Sequence, residues 1–434
     1  MKFSRRRALG LSALTLAAAG PSEIFAQTPP APDKPEALFP KLFPQPTGDN
    51  GYEEIVQAGD LVRASTLAQA ATNTGTTLRQ KRDALADPKV SRALGLLRRG
   101  LAKPIRSPRT TWTAATLFPD FASLRGLARL LGVYQYVALA DGRTGDAIGA
   151  LRDGLLLAQT VKGESLIGGL VGVAIEAIVL TRLARHLDQM NARDCDRLIA
   201  LSREYLAAPD AAINALKTER RFQVSGIESL RKGIPALKSG DFAAMEADGT
   251  PPDPLDAEIE TLFKNDSSAP DRIVDAAIAR INAHFDALIA NARRAPYQRT
   301  ADAPEPPEEA PPGATIEERV VFRLAGLTLP IFRATTTRFT QTRIQVQLLG
   351  VHGAVRRFRW ERDKLPDALA DLRLPPELAT DPYTGTPLVY QKTSETAYAL
   401  SSAGPPERDA NGNVVPGKRA PILLPSPPRP AAPG

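Results

Sequence analysis

The sequence predicts a mainly α-helical protein: a body of helical hairpins, tetratricopeptide-like at most, with a small C-terminal α+β module made of a helix and a β-hairpin. Three observations lead there. Apolar residues recur at three- and four-residue spacing through most of the chain after Gly51, the mark of helices that bury one face. Aromatic residues are only 6% of the chain, so a core drawn from its 43% hydrophobic residues must be mainly Ala, Leu, Val and Ile, which suits packed helices better than a sandwich of strands. Strand and turn signals gather late, in "DPYTGTPLVYQKTSETAYAL" (381–400).

The opening, "MKFSRRRALGLSALTLAAAGPSEIFAQTPP", has a basic start (Lys2, Arg5, Arg6, Arg7), an apolar stretch from Ala8 to Ala19, and a small residue at Ala26. That is the layout of a secretory signal peptide over 1–26, and Ser4-Arg5-Arg6 with Leu9 resembles the twin-arginine motif. The expected location is the periplasm or the outside of the cell. A proline-rich linker follows over 27–50.

A helical domain is expected over 51–235. Within it, "FPDFASLRGLARLLGVYQYVALADG" reads as one helix closed by Asp141-Gly142, and "TGDAIGALRDGLLLAQTVKG" as the next, with Thr144 as its N-cap. Together they make an αα-hairpin whose Gly142, Ala147, Leu151 spacing resembles a single tetratricopeptide-type repeat, with no second copy at that period. "GESLIGGLVGVAIEAIVLTRLARHL" (163–187) reads as a central buried helix. Its apolar run from Ser165 to Leu180 is shorter than the ~20 residues a membrane span needs and contains Glu176, so no span is expected after the signal. Gly168, Gly169 and Gly172 would admit a neighbouring helix closely. Beyond lie a loose linker (236–270), an amphipathic helix (271–296), a proline- and acid-rich linker (297–314), the C-terminal module (315–404, with a break at Pro330) and a disordered tail (405–434).

The formal net charge of +7 raises the question of nucleic acid. The basic residues are interspersed with acids, as in "RQKRDALADPKVSRALGLLRRG", and no aromatic residues interleave with them to stack bases. They read as solvated helix faces that leave room for weak contact with anionic surfaces, not as a nucleic-acid patch.

Candidates for chemistry are few. Cys195 is the single cysteine, so neither an internal disulfide nor a cysteine zinc site can form, and Asp194 and Asp196 beside it oppose a thiolate; it reads as a packing residue. His186, His284 and His352 are far apart, without metal-ligand spacing. Ser229 and Lys232 match S-x-x-K, which would put both on one helix face, but the companion motifs are missing. Asp409, Asn411 and Asn413 alternate around Gly412 as calcium ligands can, without a bidentate acid; an Asn-Gly turn is the simpler reading. Glu176 remains: a carboxylate on a helix apolar all round must be paired or protonated, and Arg182 and Arg185 lie more than a turn away, so its partner should come from another helix. No catalytic, cofactor-binding or metal-binding residue is assigned.

In the last quarter, Leu365-Pro366 turns the chain after a helix, Asp381-Pro382-Tyr383 enters a turn that Gly385 releases, and Leu388 to Tyr390 and Ala397 to Leu400 form a hairpin. With Pro387, Tyr398, Ser401 and Gly404-Pro405, this layout resembles the C-terminal half of type II secretion pseudopilins. It resembles still more a set of uncharacterised exported helical bacterial proteins with the same ending. The resemblance implies a long helix followed by a small β-meander and carries no activity; the prepilin-peptidase site and assembly helix of pseudopilins are missing. The expected function is an exported envelope protein acting as a non-catalytic helical scaffold for envelope partners, without cofactor. The alternative is an exported hydrolase using distant carboxylates such as Glu176.

Overall fold

The computed structural model describes residues 37–73, 75–110, 112, 116–229, 231, 254–299, 310–326, 332–409 and 414–424. The chain divides into Met1–Ala37 and Leu38–Gly434, and every described residue but Ala37 belongs to the second unit. The signal expected over 1–26 lies outside the described residues.

The second unit opens with α1 (Phe39–Leu42), α2 (Gly51–Arg63), α3 (Thr66–Ala71), α4 (Leu78–Ala86) and α5 (Pro88–Leu101). Local chemistry sets their ends. Thr77 and Gln80 form a reciprocal capping box on α4, and Asp87 accepts from Lys89 N (2.8 Å) and Val90 N (3.2 Å) ahead of α5, whose first residue is Pro88.

The centre is α6 (Asp120–Ala140), α7 (Thr144–Lys162) and α8 (Leu166–Ala184). Helix α6 stops as expected. Gly142 takes φ 70°, and bonds from Gly142 N to Leu139 O (3.1 Å) and Arg143 N to Ala138 O (2.8 Å) close a Schellman turn. Thr144 is not the cap of α7: Arg143 stands there, and the Thr144 hydroxyl donates to Asp194 instead. Helix α8 is capped by Ser165, whose Oγ accepts from Gly168 N at 3.0 Å. Helices α6 and α8 run side by side in one direction, Phe121 against Gly168 and Gly132 against Ile178, with Gln135 Nε2 donating to Val179 O over 3.2 Å.

Helices α9 (Ala192–Ala207) and α10 (Ala211–Ser229) follow. In the segment expected to be a loose linker, residues 254–265 form a helix, α11 (Pro254–Asn265). The clustered prolines set only its start, while Ile259, Leu262 and Phe263 recur at helical spacing and pack on a second core. That core joins α10, α12 (Ala269–Ala292) and α13 (Ile316–Gly326) around Ile273, Ala277, Ile281 and Phe285. The main core holds most of the buried residues of α2 and α5 to α9, with the middle of α14 (Phe332–Arg362). The break expected at Pro330 lies outside the described residues, between α13 and α14.

The C-terminal module is as anticipated: a long helix, the short α15 (Pro376–Ala379), then β1 (Val389–Lys392) paired antiparallel with β2 (Tyr398–Ser401) in the register Val389↔Ser401. The chain is therefore mainly helical with a small C-terminal α+β region. The tail expected from 405 needs correcting as far as 424. β3 (Pro406–Arg408) pairs with β4 (Val414–Arg419), Ser402 bridges Ile422, and Ile422 and Leu424 bury their side chains in the main core. Ile422 and Leu424 help tie this proline-rich stretch down by removing apolar surface from water, alongside the backbone bonds between Ser402 and Ile422. Residues 425–434 lie outside the described residues.

Candidate functional site

Helix α8 carries a single charge before its last turn, Glu176, and that residue is 0% exposed. A carboxylate so placed is costly unless another charge and hydrogen bonds answer it. Lys162, the last residue of α7, supplies the charge: its ammonium pairs with Glu176 Oε2. Tyr205 of α9 donates its hydroxyl to Oε1 over 2.6 Å. Lys162 Nζ also reaches Thr342 Oγ1 of α14 at 3.1 Å and Tyr205 OH at 3.4 Å, so its three protons all have acceptors. The Phe339 ring centroid lies 5.4 Å from the ammonium. Burial, and after it the Glu176 charge, hold the Tyr205 phenol well above its ordinary pKa, so it stays a donor.

The expectation that Glu176 takes its partner from another helix is met, and the partner is a lysine across the α7–α8 hairpin. Glycines make the approach possible. A Cβ on Gly172 would strike the Lys162 stem and the Ala158 carbonyl, and one on Gly169 would strike the Phe339 ring. A cavity of about 20 Å³ adjoins the pair between Lys162, Tyr205, Asp210, Phe339 and Arg343, room for one water. Both oxygens of Glu176 are engaged and neither meets solvent. The arrangement fixes four helices to one another and offers no carboxylate to a substrate.

A second buried cluster went unread in the sequence. Arg109, in the irregular segment between α5 and α6, inserts its guanidinium between two acids: it pairs with Asp120 and reaches Glu164 Oε2 at 3.0 Å. The rings of Phe118 and Phe121 lie 4.8 and 5.2 Å from it. Tyr52 of α2 donates to Asp120 Oδ2 over 2.5 Å. Two carboxylates thus share one cation. Burial pushes Glu164 up to about 7; Arg109 opposes the shift and Asp120 adds to it. No local pattern in "SPRTTWTAATLFPDF" marks Arg109, because its partners lie 11 and 55 residues away.

The remaining candidates are not brought together. His186 precedes a 3₁₀ turn (Leu187–Gln189), His284 sits on α12 and His352 on α14. His352 Nδ1 lies 2.6 Å from Tyr398 OH, and burial pulls its pKa down to about 3, so the ring is neutral. Cys195 is buried, and burial first, then Asp194 and Asp196, push its thiol up to about 11, the environment of a packing residue. Ser229 Oγ donates to Gly226 O at 2.6 Å, while Lys232 lies outside the described residues. Of the calcium candidates only Asp409 is described; Asn411 and Asn413 are not. Among the described residues no group of three or more His, Cys, Asp or Glu could hold a metal ion.

Asp381 has more to do than turn the chain. Its buried carboxylate accepts from Tyr383 N (2.8 Å), Ser402 Oγ (3.0 Å) and Ala403 N (2.6 Å), so it clasps the turn to the far end of β2. Comparison of the chain with protein-family models, with curated proteins and with solved structures finds no match.

Proposed function

We propose that this is an exported protein of the cell envelope that acts as a non-catalytic helical scaffold for other envelope proteins. The observation that carries the reading is the sealing of Glu176. Glu176, the acid the sequence offered for acid–base chemistry, is fully buried, neutralised by Lys162 and hydrogen-bonded by Tyr205, beside a cavity with room for one water. A catalytic acid must reach its substrate, whereas a buried ion pair spanning four helices serves to hold them in register. The pseudopilin-like layout of the C-terminal module is in keeping with an envelope setting and with protein–protein contact.

The experiment is capture from intact envelope by site-specific photo-crosslinking of the tagged chain, run beside the Glu176→Gln variant. The scaffold reading expects defined crosslinked envelope proteins, recovered equally with the variant once it is shown to be folded. Hydrolysis of envelope polysaccharide by the purified chain, abolished by Glu176→Gln, would overturn it in favour of the hydrolase.

A further inference from the structure

Glu176 divides α8 into two unlike sides. At about 100° per residue, Glu176 stands half a turn around from Ile167. On the Ile167 side, Leu170, Val171, Ala174, Ala177, Ile178 and Thr181 fall within one stripe that runs about 21 Å along the helix. Ile167 is 44% exposed, Ala177 is exposed, and the others are half-buried, Val171 and Ile178 packing one side against the main core. The helix is long and apolar enough to cross a membrane, yet only half of it is buried within the protein. Since its opposite side holds the Lys162–Glu176 pair against α7, α9 and α14, it cannot leave the fold to span one.

Cations gather along one edge of this stripe. Helix α6 lies beside α8 and turns Arg125 and the exposed Arg129 to the same flank, between the Phe121–Gly168 and Gly132–Ile178 contacts. Arg182 ends the stripe, its guanidinium 5.3 Å from the Tyr136 ring centroid, and Lys81 sits 5.9 Å from that ring. Lys81 is buried and donates to the Ala71 and Asn73 carbonyls (2.6 and 3.2 Å), whereas Arg125, Arg129 and Arg182 make no ion pair with an acid among the described residues, and Arg125 Nε is buried without a hydrogen-bond partner. Burial first, and then a neighbouring cation, lower Arg125 (Arg129), Arg182 (Arg185) and Lys81 (Arg182); no carboxylate offsets them. Acids stand at the two ends of α8: Glu219 of α10 hydrogen-bonds the Leu166 backbone before the stripe, and Asp188, past the helix end, bears on His186.

We infer that this face, the α8 stripe with Arg125, Arg129 and Arg182, docks on the surface of an anionic phospholipid bilayer. The chemistry is that of interfacial binding. An aliphatic stripe enters the acyl boundary, cations at its edge meet lipid phosphates, and the amphipathic ring of Tyr136 sits at headgroup level. A specific protein partner would favour aromatic anchors in the centre of the patch, and the centre here is Leu, Val, Ala and Ile. The mutual repulsion of Arg125 with Arg129 and of Arg182 with Arg185, a cost to the free protein, is relieved against a negative surface. The inference is independent of the scaffold reading.

Ala177 offers a clean probe, because it is exposed and the only native cysteine is buried. A nitroxide on Ala177→Cys, in the full chain, reports by its accessibility to oxygen whether the stripe enters lipid. A nitroxide on Glu204→Cys, an exposed site on α9 outside the stripe, is the control. On phosphatidylcholine vesicles containing phosphatidylglycerol, the label at 177 is expected to move into lipid and the label at 204 to stay in water. Pure phosphatidylcholine or high salt should leave both in water. Arg129→Glu/Arg182→Glu, both outside the cores, should weaken the transfer at 177 by about tenfold or more. The inference is overturned if the label at 177 stays in water on anionic vesicles, or if transfer is the same on neutral ones. Burial of that label with rising protein concentration and no lipid would also overturn it, assigning the face to a second copy of the chain.

Discussion

Lys162 and Glu176 stand 14 residues apart, on facing sides of one helical hairpin, and form a buried ion pair. Tyr205 and Thr342 complete it from helices further along the chain, 29 residues beyond Glu176 and 180 beyond Lys162. A single salt bridge thereby joins early and late parts of the protein. Its worth lies in what its loss would leave behind: a buried charge without an answer.

Lys162→Met should therefore destabilise the protein by about 3–5 kcal/mol, since Glu176 would remain buried with only Tyr205 beside it. The double variant Lys162→Met/Glu176→Gln keeps the volume without the charge and should recover most of that loss. Urea unfolding of the four chains as a double-mutant cycle measures the coupling. A double variant no more stable than Lys162→Met would mean that the pair is not coupled.

Glu164 predicts a pH dependence whose sign is unusual for a carboxylate. Its folded pKa, about 7, lies above the ordinary 4.5. The folded state therefore binds the proton more tightly than the unfolded state, and stability falls as pH rises from about 4.5 to 7. Glu164→Gln removes this term, so the variant should gain on the parent by about 3 kcal/mol between pH 4.5 and pH 8. His352 acts oppositely: with its pKa lowered to about 3, stability is lost as pH falls below its ordinary 6.5. Thermal melts of parent and variant compared at each pH isolate the glutamate, because the histidine is common to both.

Gly169→Ala should cost about 1–3 kcal/mol, because the added methyl collides with the Phe339 ring. Phe339→Leu in the same chain should restore part of it, a rescue that simple helix propensity, which favours Ala over Gly, would not predict. Chemical denaturation of the single and double variants is the measurement.

Asp381→Ala removes three accepted hydrogen bonds from a buried site and leaves Ala403 N and Ser402 Oγ searching for partners. The expected loss is about 2–3 kcal/mol, centred on the C-terminal module. Amide hydrogen exchange should speed up at Ala403 and Tyr383 while α7 and α8 stay protected. Uniform acceleration across the chain would show that the clasp supports the whole fold.

Much of the architecture was legible in one dimension because its causes are local. Gly142 ends α6 through its own positive φ, and the turn chemistry of Asp381-Pro382 and Gly385 brings β1 out of a helical region. The apolar spacing of α6 to α8 needs no knowledge of what those faces touch. Thr144 and residues 254–265 misled for the complementary reason. The hydroxyl found Asp194 from another helix, and the apolar spacing of Ile259, Leu262 and Phe263 outweighed nearby prolines.

The sequence by itself determined that this chain buries aliphatic helix faces, that Glu176 needs a partner from another helix, and where the first β-hairpin lies. Only the tertiary structure decided that the partner is Lys162, that Arg109 is drawn between Asp120 and Glu164, and that Ile167 and Ala177 of α8 stay exposed on the side away from Glu176. The division has a physical reason. Backbone propensity and periodicity act over a few residues, whereas a buried charge is satisfied by whatever packing brings within about 3 Å, at any distance along the chain.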